Sequence, residues 1–266
     1  MDKYLKNNRE LWNEMTRIHA RSEFYDVEGF KKGKCTLKSI ELEELGDVAG
    51  KFLLHLQCHF GMDTLSWARL GARVTGVDFS DKAIALARSL SKELGIEADF
   101  ICSDIYELPA VLDRQYDIVF TSYGILAWLP DLQRWAEVIA RFLKPRGTFY
   151  IVEEHPLIKV FDESKDVREL KVSYTYFPTP EPERYEHKGS YAAADAIVTH
   201  PAFEWTHSLG DVLNALIGAE LRIEFLHEFP VCCYKALPFM EQDEAGWWRI
   251  KGDKIPLTFS LKATKT

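Results

Sequence analysis

Short apolar runs alternate with segments of helical periodicity through the middle of the chain. Four apolar runs typical of strands buried on both faces lie at 51–58, 73–79, 98–104 and 116–122. A fifth run, TFYIV, follows a turn formed by KPRG at 144–147. Helical patterns lie between the runs at 62–70, 81–94 and 132–143. This alternation predicts an α/β fold with a doubly wound, Rossmann-like and mostly parallel sheet.

The end of the chain has a different pattern. Residues 209–219 have helical spacing, whereas apolar and polar residues alternate at 221–229 and again at 257–263. Alternation of this kind is typical of strands with one exposed face. We therefore expect an antiparallel edge pair joined by a loop at the C-terminus.

Two segments fit neither pattern. Residues 1–50 precede the first core strand and are expected to form a helical cap, with Leu11, Met15 and Ile18 facing inward. Residues 156–205 form a long insertion that is rich in aromatic residues and proline, which is typical of a lid or binding surface. The domain itself is expected to span 51–266. The acidic run IELEEL at 40–45 predicts a solvated helix face.

Composition narrows the function further. The net charge of −8 argues against a nucleic-acid partner. No apolar run is long enough to span a membrane, and the N-terminus lacks an apolar signal core, so a cytoplasmic location is expected. The five cysteines include no CxxC pair and the histidines no HxH pair, so no metal site is expected. The oligomeric state, monomer or homodimer, stays open.

Polar residues follow the predicted strands where ligands bind an open parallel sheet, beyond the carboxyl ends of the strands. Asp78 ends the second strand, where a carboxylate can accept hydrogen bonds from both hydroxyls of a ribose. Asp104 ends the third strand, where it can meet the amino group of an adenine. Gly61 begins a helix whose N–H groups point outward. The alternative for Asp78 is a residue that only starts the following helix, although Ser80 already offers that helix cap. The alternative for Asp104 is a residue of an ordinary loop turn.

Two stretches together resemble the class I S-adenosylmethionine-dependent methyltransferases. LLHLQCHFGMDTLSWARLGARVTGVDFSDKAIALAR at 53–88 resembles their first two motifs. YDIVFTSYGILAWLPDLQRWAEVIARFLKPRGTFYIVEEHP at 116–156 resembles the later motifs, including the family's LKPGG turn. The C-terminal pair resembles the sixth and seventh strands of that fold. The resemblance implies a seven-stranded sheet, S-adenosylmethionine as cofactor, and methyl transfer to a small-molecule acceptor.

The resemblance also implies a set of cofactor-binding residues. They are Gln57, Cys58, His59, Gly61, Asp78, Phe79, Ser80, Asp104, Ile105, Ser122 and Tyr123. The chain departs from the family pattern in the first loop, where His55 replaces an acidic residue, and Gln57 and His59 replace glycines. In the family this loop lies against the methionine part of the cofactor. Gln57 and His59 are therefore expected to bind its amino-acid end, with His59 near the carboxylate. The alternative is a remodelled loop that binds nothing.

Candidates for catalysis and acceptor binding follow the later strands. His155 is the first candidate for a general base, with Glu154 and Tyr123 beside it, because the ordinary pKa of histidine suits proton transfer. The alternative for His155 is a loop histidine bonded to backbone before Pro156. Four residues are expected to line the acceptor pocket: Tyr25, Trp128, Trp205 and His207. For Trp128 the alternative is plain core packing, and for His207 a position at a helix start.

Two other functions remain open from the sequence. A non-catalytic protein that holds S-adenosylmethionine or S-adenosylhomocysteine would need the same cofactor residues. An NAD(P)-dependent oxidoreductase would also place an acidic residue after the second strand. Gln57 and His59 disfavour the oxidoreductase, because their side chains crowd the close approach of a pyrophosphate to the loop.

Overall fold

A central sheet of seven strands organises the chain. The computed structural model describes residues 2–186 and 189–266. In chain order the strands are β1 (Phe52–Leu56), β2 (Arg73–Asp78), β3 (Asp99–Cys102), β4 (Tyr116–Ser122), β5 (Leu143–Glu154), β6 (Glu183–Tyr185), β7 (Ala202–Glu204), β8 (Leu221–Phe229), β9 (Val231–Cys232), β10 (Glu241–Gln242), β11 (Trp248–Arg249) and β12 (Thr258–Lys265). The central sheet has the order β3-β2-β1-β4-β5-β12-β8. Strands β1 to β5 run parallel, and β12 runs antiparallel to both β5 and β8.

Helices cover both faces of this sheet. In chain order they are α1 (Lys3–His19), α2 (Val27–Lys31), α3 (Ser39–Leu45), α4 (Met62–Arg69), α5 (Asp81–Leu94), α6 (Leu108–Val111), α7 (Leu132–Phe142) and α8 (Leu209–Gly218). The core on one face contains residues from α7 and α8, and the other face is covered by α4, α5 and α3. Because nearly all residues of β1 and β4 are buried, the sequences of these two strands are mostly apolar. In the part of the chain that the structure describes, no helix has the length and apolarity needed to cross a membrane.

The predicted sheet and its edge pair are confirmed, with two differences in the connections. KPRG does not form a separate turn, because β5 already begins at Leu143 and contains those residues. Residues 144–147 remain within the strand because the register of β5 against β4 shifts there and Arg146 adopts a positive φ of 64°. The expected loop between the last two strands instead includes a small sheet of order β10-β11-β9. Its strands are only two residues long, too short for an alternating pattern to reveal them.

The acidic run at 40–45 does not form a solvated face, so that prediction is wrong. Glu41 is buried, and its carboxylate accepts hydrogen bonds from Lys38 N–H at 2.6 Å and from the Tyr123 hydroxyl at 2.9 Å. Glu44 accepts a hydrogen bond from the Tyr150 hydroxyl at 2.7 Å. Two acids of α3 are therefore turned toward β4 and β5, where tyrosine hydroxyls supply the donors that a buried carboxylate needs.

Helix α1 is tied to the domain at two places. Asn13 accepts a hydrogen bond from the Ser80 hydroxyl and donates one to Asp81 at the start of α5. Asn8 exchanges two hydrogen bonds with the backbone of Phe203 in β7. Leu11 and Met15 are buried as predicted, and Ile18 is half-buried. Within the insertion expected at 156–205, β6 and β7 pair as a hairpin, and residues 187–188 lie outside the described residues.

Candidate active site

The turn from β1 into α4 has the backbone of a glycine-rich loop although it holds only one glycine. Gln57, His59 and Gly61 have φ values of 57°, 51° and 78°. Left-handed backbone costs a residue with a side chain about 1–2 kcal/mol. Cys58 lies between them, and its side chain is buried beside Gly76 and Phe100, so only its backbone belongs to the turn. The turn therefore combines left-handed backbone at three positions with two polar side chains, those of Gln57 and His59.

Gly61 has both steric and conformational reasons to lack a side chain. A Cβ there would lie 2.7 Å from the Phe100 ring and 3.0 Å from the Ala87 Cβ. We expect Gly61→Ala to lower the free energy of unfolding by about 3 kcal/mol, from left-handed strain plus overpacking. The matched control is Gly95→Ala, because Gly95 has φ 63° and open space around its Cβ position. Urea denaturation of both variants separates the two costs, and an equal loss in both would contradict the steric part.

Asp78 stands at the carboxyl end of β2, beside this turn. Its two oxygens accept hydrogen bonds from His59 N–H and Ser80 N–H, both at 2.8 Å. The residue is 8% exposed, and burial raises the pKa of its carboxyl to about 7. Ser80 caps α5 by accepting from Ala83 N–H, so the helix cap does not depend on Asp78. Each Asp78 oxygen keeps a lone pair that a ribose hydroxyl can use.

The residues after β3 form the adjoining edge. Asp104 is half-buried, one of its oxygens accepts a hydrogen bond from Tyr106 N–H at 2.8 Å, and burial raises the pKa of its carboxyl. This contact is the loop turn named as the alternative, and it uses one carboxylate oxygen. Ile105 is buried, and Phe79 is half-buried with its carbonyl 3.7 Å from Cys102 Sγ. The apolar and acidic character of this edge suits an adenine base with an amino group.

Unpartnered polar atoms in the β1–α4 turn and in the neighbouring helix α1 test whether the site fits S-adenosylmethionine. Gln57 Oε1, His59 Nδ1 and Trp12 Nε1 are buried and have no hydrogen-bond partner among the described residues. Gln57 Nε2 donates to the Ile125 carbonyl at 3.2 Å, which fixes Oε1 as the free acceptor. A buried polar atom without a partner costs about 1–3 kcal/mol. Together with Asp78, Gln57 Oε1 fits a ligand with ribose hydroxyls and a polar amino-acid end.

The segment after β4 is held in place by a buried carboxylate. Glu153 is 2% exposed and accepts backbone N–H groups from Gly124, Ile125 at 2.7 Å, Leu126 at 3.3 Å and Glu154 at 2.6 Å. Burial raises its pKa to about 7. Glu153 therefore positions the segment at 124–126, which we call the rim, and does not face a ligand. The sequence does not reveal this role, because Glu153 and its neighbour Glu154 look alike there.

Ser122 is the last residue of β4, and Tyr123 follows it directly before the rim. Ser122 is buried, and Tyr123 has φ 43° and donates its hydroxyl to Glu41. Burial and the neighbouring Glu41 raise the pKa of Tyr123 well above its usual range. The hydroxyl proposed for catalysis is thus engaged with α3 in this structure.

Glu154 and His155 follow β5. Glu154 Oε2 lies 3.1 Å from Lys159 Nζ. His155 is 5% exposed, its Nδ1 accepts a hydrogen bond from Leu157 N–H at 3.1 Å, and its Nε2 lies 2.9 Å from a Glu228 oxygen. Burial lowers the pKa of His155 despite the opposing effect of Glu228. Both ring nitrogens therefore have protein neighbours, as in the alternative of a loop histidine bonded to backbone before Pro156.

The four predicted pocket residues fall into two groups. Tyr25 stacks on His19 with ring centroids 5.1 Å apart and lies 5.6 Å from the His59 ring. Trp128 donates Nε1–H to the Gly124 carbonyl and meets Trp12 edge-on, so these two tryptophans join the rim to α1.

Trp205 and His207 instead form hydrogen bonds that hold residues 205–207 against the segment after β4. Trp205 N–H donates to the Ala127 carbonyl. His207 Nε2 lies 2.7 Å from the Leu129 carbonyl, and burial lowers its pKa. The contacts of His207 are with backbone at the segment preceding α7, so they support a positioning role.

Three residues of this region were missed by the sequence reasoning. His19 lies at the end of α1, with its Nδ1 3.0 Å from His59 Nε2 and its Nε2 2.7 Å from Ser190 Oγ. Tyr191 places its hydroxyl 2.5 Å from that of Tyr25. These residues come from segments far apart in the chain, and their spacing carries no local signal. Only the aromatic richness of the insertion pointed in this direction.

Comparisons with known proteins find similar sequences over part of the chain. Residues 54–151 match the family model described as "Methyltransferase domain". A ubiquinone biosynthesis O-methyltransferase from Escherichia coli (strain SMS-3-5 / SECEC) is 32% identical over 151 residues, which are 55% of this chain and 62% of that protein. The chain thus spans about three fifths of the length of that curated relative.

Solved structures share the fold. An S-adenosylmethionine-dependent methyltransferase from Mesorhizobium loti superposes with a TM-score of 0.60 at 20% identity, covering 88% of this chain and 100% of that one. Geranyl diphosphate C-methyltransferase from Streptomyces coelicolor A3(2), solved with S-adenosyl-L-homocysteine, gives 0.52 at 14% identity, covering 85% and 77%. At these identities the likeness shows the fold alone. Residues 54–151 are thus similar in sequence to a methyltransferase domain, and the chain shares its fold with S-adenosylmethionine-dependent methyltransferases of known structure.

Proposed function

We propose that this chain catalyses methyl transfer from S-adenosylmethionine to a small-molecule acceptor. The observation that carries the proposal is the pairing of Asp78 with the β1–α4 turn. The Asp78 carboxylate accepts the turn's backbone N–H at His59 and keeps lone pairs free, while the turn itself holds unpartnered buried polar atoms. A turn that had lost its ligand would have no reason to keep buried polar atoms without partners.

The relatives support a hydroxyl-bearing acceptor. Their name, ubiquinone biosynthesis O-methyltransferase, states that they methylate oxygen. The net charge of −8 disfavours a nucleic acid as the methyl acceptor. The aromatic side chains of Tyr25, Trp12 and Trp128 near the turn offer planar surfaces for the apolar part of a small molecule.

The side chains of the site have distinct tasks in this proposal. Asp78 holds the ribose hydroxyls, Asp104 meets the adenine, and Gln57 Oε1 accepts from the amino-acid end. The cofactor, when bound, supplies an electrophilic methyl group on sulfur. The protein then contributes mainly orientation, which can be worth up to about 7–11 kcal/mol. Burial lowers the pKa of His59 well below its usual range, so its ring is neutral and brings no positive charge to a carboxylate.

The N-terminal segment and the insertion form a cap in this proposal. Helix α1 bonds to α5 through Asn13 and to β7 through Asn8, so it links the cofactor side of the domain to the insertion. Glu14 on α1 also accepts hydrogen bonds from Thr199 at 2.9 Å and lies 2.9 Å from His200 Nδ1. A cap fixed in this way excludes water from the reacting groups, which strengthens the polar interactions inside.

The test is transfer of radiolabelled methyl from S-adenosylmethionine to a panel of small acceptors such as catechol, 4-hydroxybenzoate and aniline. The proposal expects labelled product with at least one acceptor, and loss of that product in Asp78→Asn. Cofactor binding without transfer to any acceptor class would favour the non-catalytic binding protein. A nicotinamide-dependent absorbance change would favour an oxidoreductase.

The affinity for S-adenosylmethionine is expected to fall with acidity through neutral pH. The carboxyl of Asp78 has a pKa raised to about 7 by burial, and the ribose hydroxyls need it ionised. Below that pH, binding must first remove a proton, so the dissociation constant rises by up to tenfold per pH unit. Calorimetric titrations at pH 6, 7 and 8 measure the slope. Asp78→Asn should bind more weakly with that slope removed, and an unchanged slope in the variant would contradict the assignment.

A further inference from the structure

We propose that His59, His19 and Ser190 form a proton relay that takes the dissociable proton of the methyl acceptor. The relay begins at His59 Nδ1 and ends at the Ser190 hydroxyl. It rests on the proposed function, because it requires an acceptor beside the β1–α4 turn. It also narrows the substrate class to acceptors that carry a hydroxyl or N–H proton, and it gives His59 a role other than the carboxylate contact expected from the sequence.

The three side chains form one continuous hydrogen-bonded chain. His59 Nε2 lies 3.0 Å from His19 Nδ1, and His19 Nε2 lies 2.7 Å from Ser190 Oγ. His19 is fully buried and Ser190 is 8% exposed. The outer atom, His59 Nδ1, is buried and has no partner among the described residues. One end of this hydrogen-bonded chain is therefore Ser190, in the insertion, and the other end, His59 Nδ1, is free to receive a proton.

The tautomers of the two rings are locked together. A hydrogen bond between His59 Nε2 and His19 Nδ1 needs one donor and one acceptor, so neutral rings must share the same tautomer. With both rings protonated on Nε2, His19 donates to Ser190 and His59 Nδ1 is a bare acceptor. With both protonated on Nδ1, Ser190 donates to His19 and His59 Nδ1–H is a buried donor without a partner. The first arrangement is favoured, because orphaned buried N–H groups are the rarer case.

The residue at the free end of the relay, His59, also contacts the proposed cofactor site through its backbone. The backbone N–H of His59 donates to Asp78 Oδ2 at 2.8 Å. The His59 ring is surrounded by the aromatic rings of Trp12, Tyr25 and Phe60, with centroids 4.4 to 5.6 Å away. Burial in these surroundings lowers the pKa of His19 to about 3 and that of His59 well below its usual range, so both rings are neutral near pH 7. Neutral rings can accept the proton and pass it on.

Methyl transfer through this relay carries one proton from the acceptor to solvent. The acceptor's lone pair forms the bond to the methyl carbon, and the electron pair of the broken carbon–sulfur bond stays on sulfur. The acceptor's proton moves to His59 Nδ1 while the proton on His59 Nε2 moves to His19 Nδ1. The proton on His19 Nε2 moves to Ser190 Oγ, which releases its own proton to solvent. The acceptor's proton becomes strongly acidic as the new bond forms, so weakly basic imidazoles suffice.

Histidine nitrogen NMR on the free protein tests the relay without any acceptor or cofactor. With ¹⁵N-labelled histidine at pH 7, we expect His19 and His59 to be neutral and to share one tautomer. Ser190→Ala should shift the ring nitrogens of both histidines together. The matched control is Ser22→Ala, because the Ser22 hydroxyl donates to the backbone carbonyl of His19 rather than to its ring. Opposite tautomers, or a response confined to His19, would overturn the proposal.

A kinetic measurement separates proton transfer from a structural role. With whichever protic acceptor of the panel is methylated, Ser190→Ala should lower kcat about tenfold and His19→Gln about 100-fold, within the range for general base catalysis. Binding of S-adenosylmethionine should stay within about twofold in Ser190→Ala, and Ser22→Ala should change neither quantity. Unchanged kcat in His19→Gln would overturn the relay while leaving methyl transfer intact. Absence of cofactor binding in the parent protein would instead count against the proposed function.

Discussion

Replacing Asp78 with alanine is expected to weaken S-adenosylmethionine binding by at least about 100-fold. The substitution removes acceptors for two ribose hydroxyls, and hydrogen bonds to a charged group are worth about 1.5–3 kcal/mol each. It also releases the N–H groups of His59 and Ser80 that now bind the carboxylate. Isothermal titration calorimetry measures the effect directly.

Two further variants make this result specific. Asp78→Asn keeps one acceptor oxygen but turns an amide donor toward the second backbone N–H, so its free energy of unfolding is measured beside its affinity. A loss of affinity of at least tenfold with little loss of stability reports on the cofactor contact rather than on the turn. Asp113→Ala removes an exposed carboxylate at a distance from the β2–α5 turn and should bind like the parent protein. Parent-like affinity in both Asp78 variants would remove Asp78 from the cofactor site.

Replacing Glu153 with alanine is expected to lower the free energy of unfolding by roughly 3–5 kcal/mol. The carboxylate accepts four backbone N–H groups, three of them in the segment that follows β4, and truncation leaves these donors buried without partners. Urea denaturation followed by circular dichroism measures the loss.

Two further variants separate the effect of the lost hydrogen bonds on stability from the effect of the lost side-chain volume. Glu153→Gln keeps one acceptor oxygen but turns an amide donor toward the N–H groups, so we expect an intermediate loss of about 1–3 kcal/mol. Glu137→Ala, at an exposed position of α7, should stay within about 0.5 kcal/mol of the parent. A Glu153→Ala variant as stable as Glu137→Ala would show that the segment after β4 is held by packing alone.

The sheet could be predicted from the sequence because its signals are local. Strand β4 is a mostly apolar run with the predicted bounds, and α5 begins after the Ser80 cap and ends before Gly95 as predicted. Asp78 could be placed for the same reason, since a residue that ends a parallel strand lies at the ligand-binding edge whatever packs around it. The left-handed backbone at Gln57 and His59 was harder to predict, because the glycines that normally signal it are absent.

The remaining parts of the site depend on contacts between distant segments. His19 and Ser190 are 171 residues apart, and no periodicity relates them. Glu41 was mistaken for a solvated residue because its partner, the Tyr123 hydroxyl, is 82 residues away. Glu153 and Glu154 are neighbours in the chain, yet only the structure shows that one binds backbone N–H groups and the other pairs with Lys159. The division into a cap at 1–50 and a domain at 51–266 stays a prediction.

Titration of S-adenosylmethionine into the purified parent protein by calorimetry tests the central claim most directly. The claim is that HLQCHFG at 55–61 is a working cofactor turn in which side chains stand at glycine positions. The account predicts saturable binding with a dissociation constant in the micromolar range and one site per chain. A folded protein that shows no binding heat and no thermal stabilisation by the cofactor would contradict it, because Gln57 and His59 would then have closed the site.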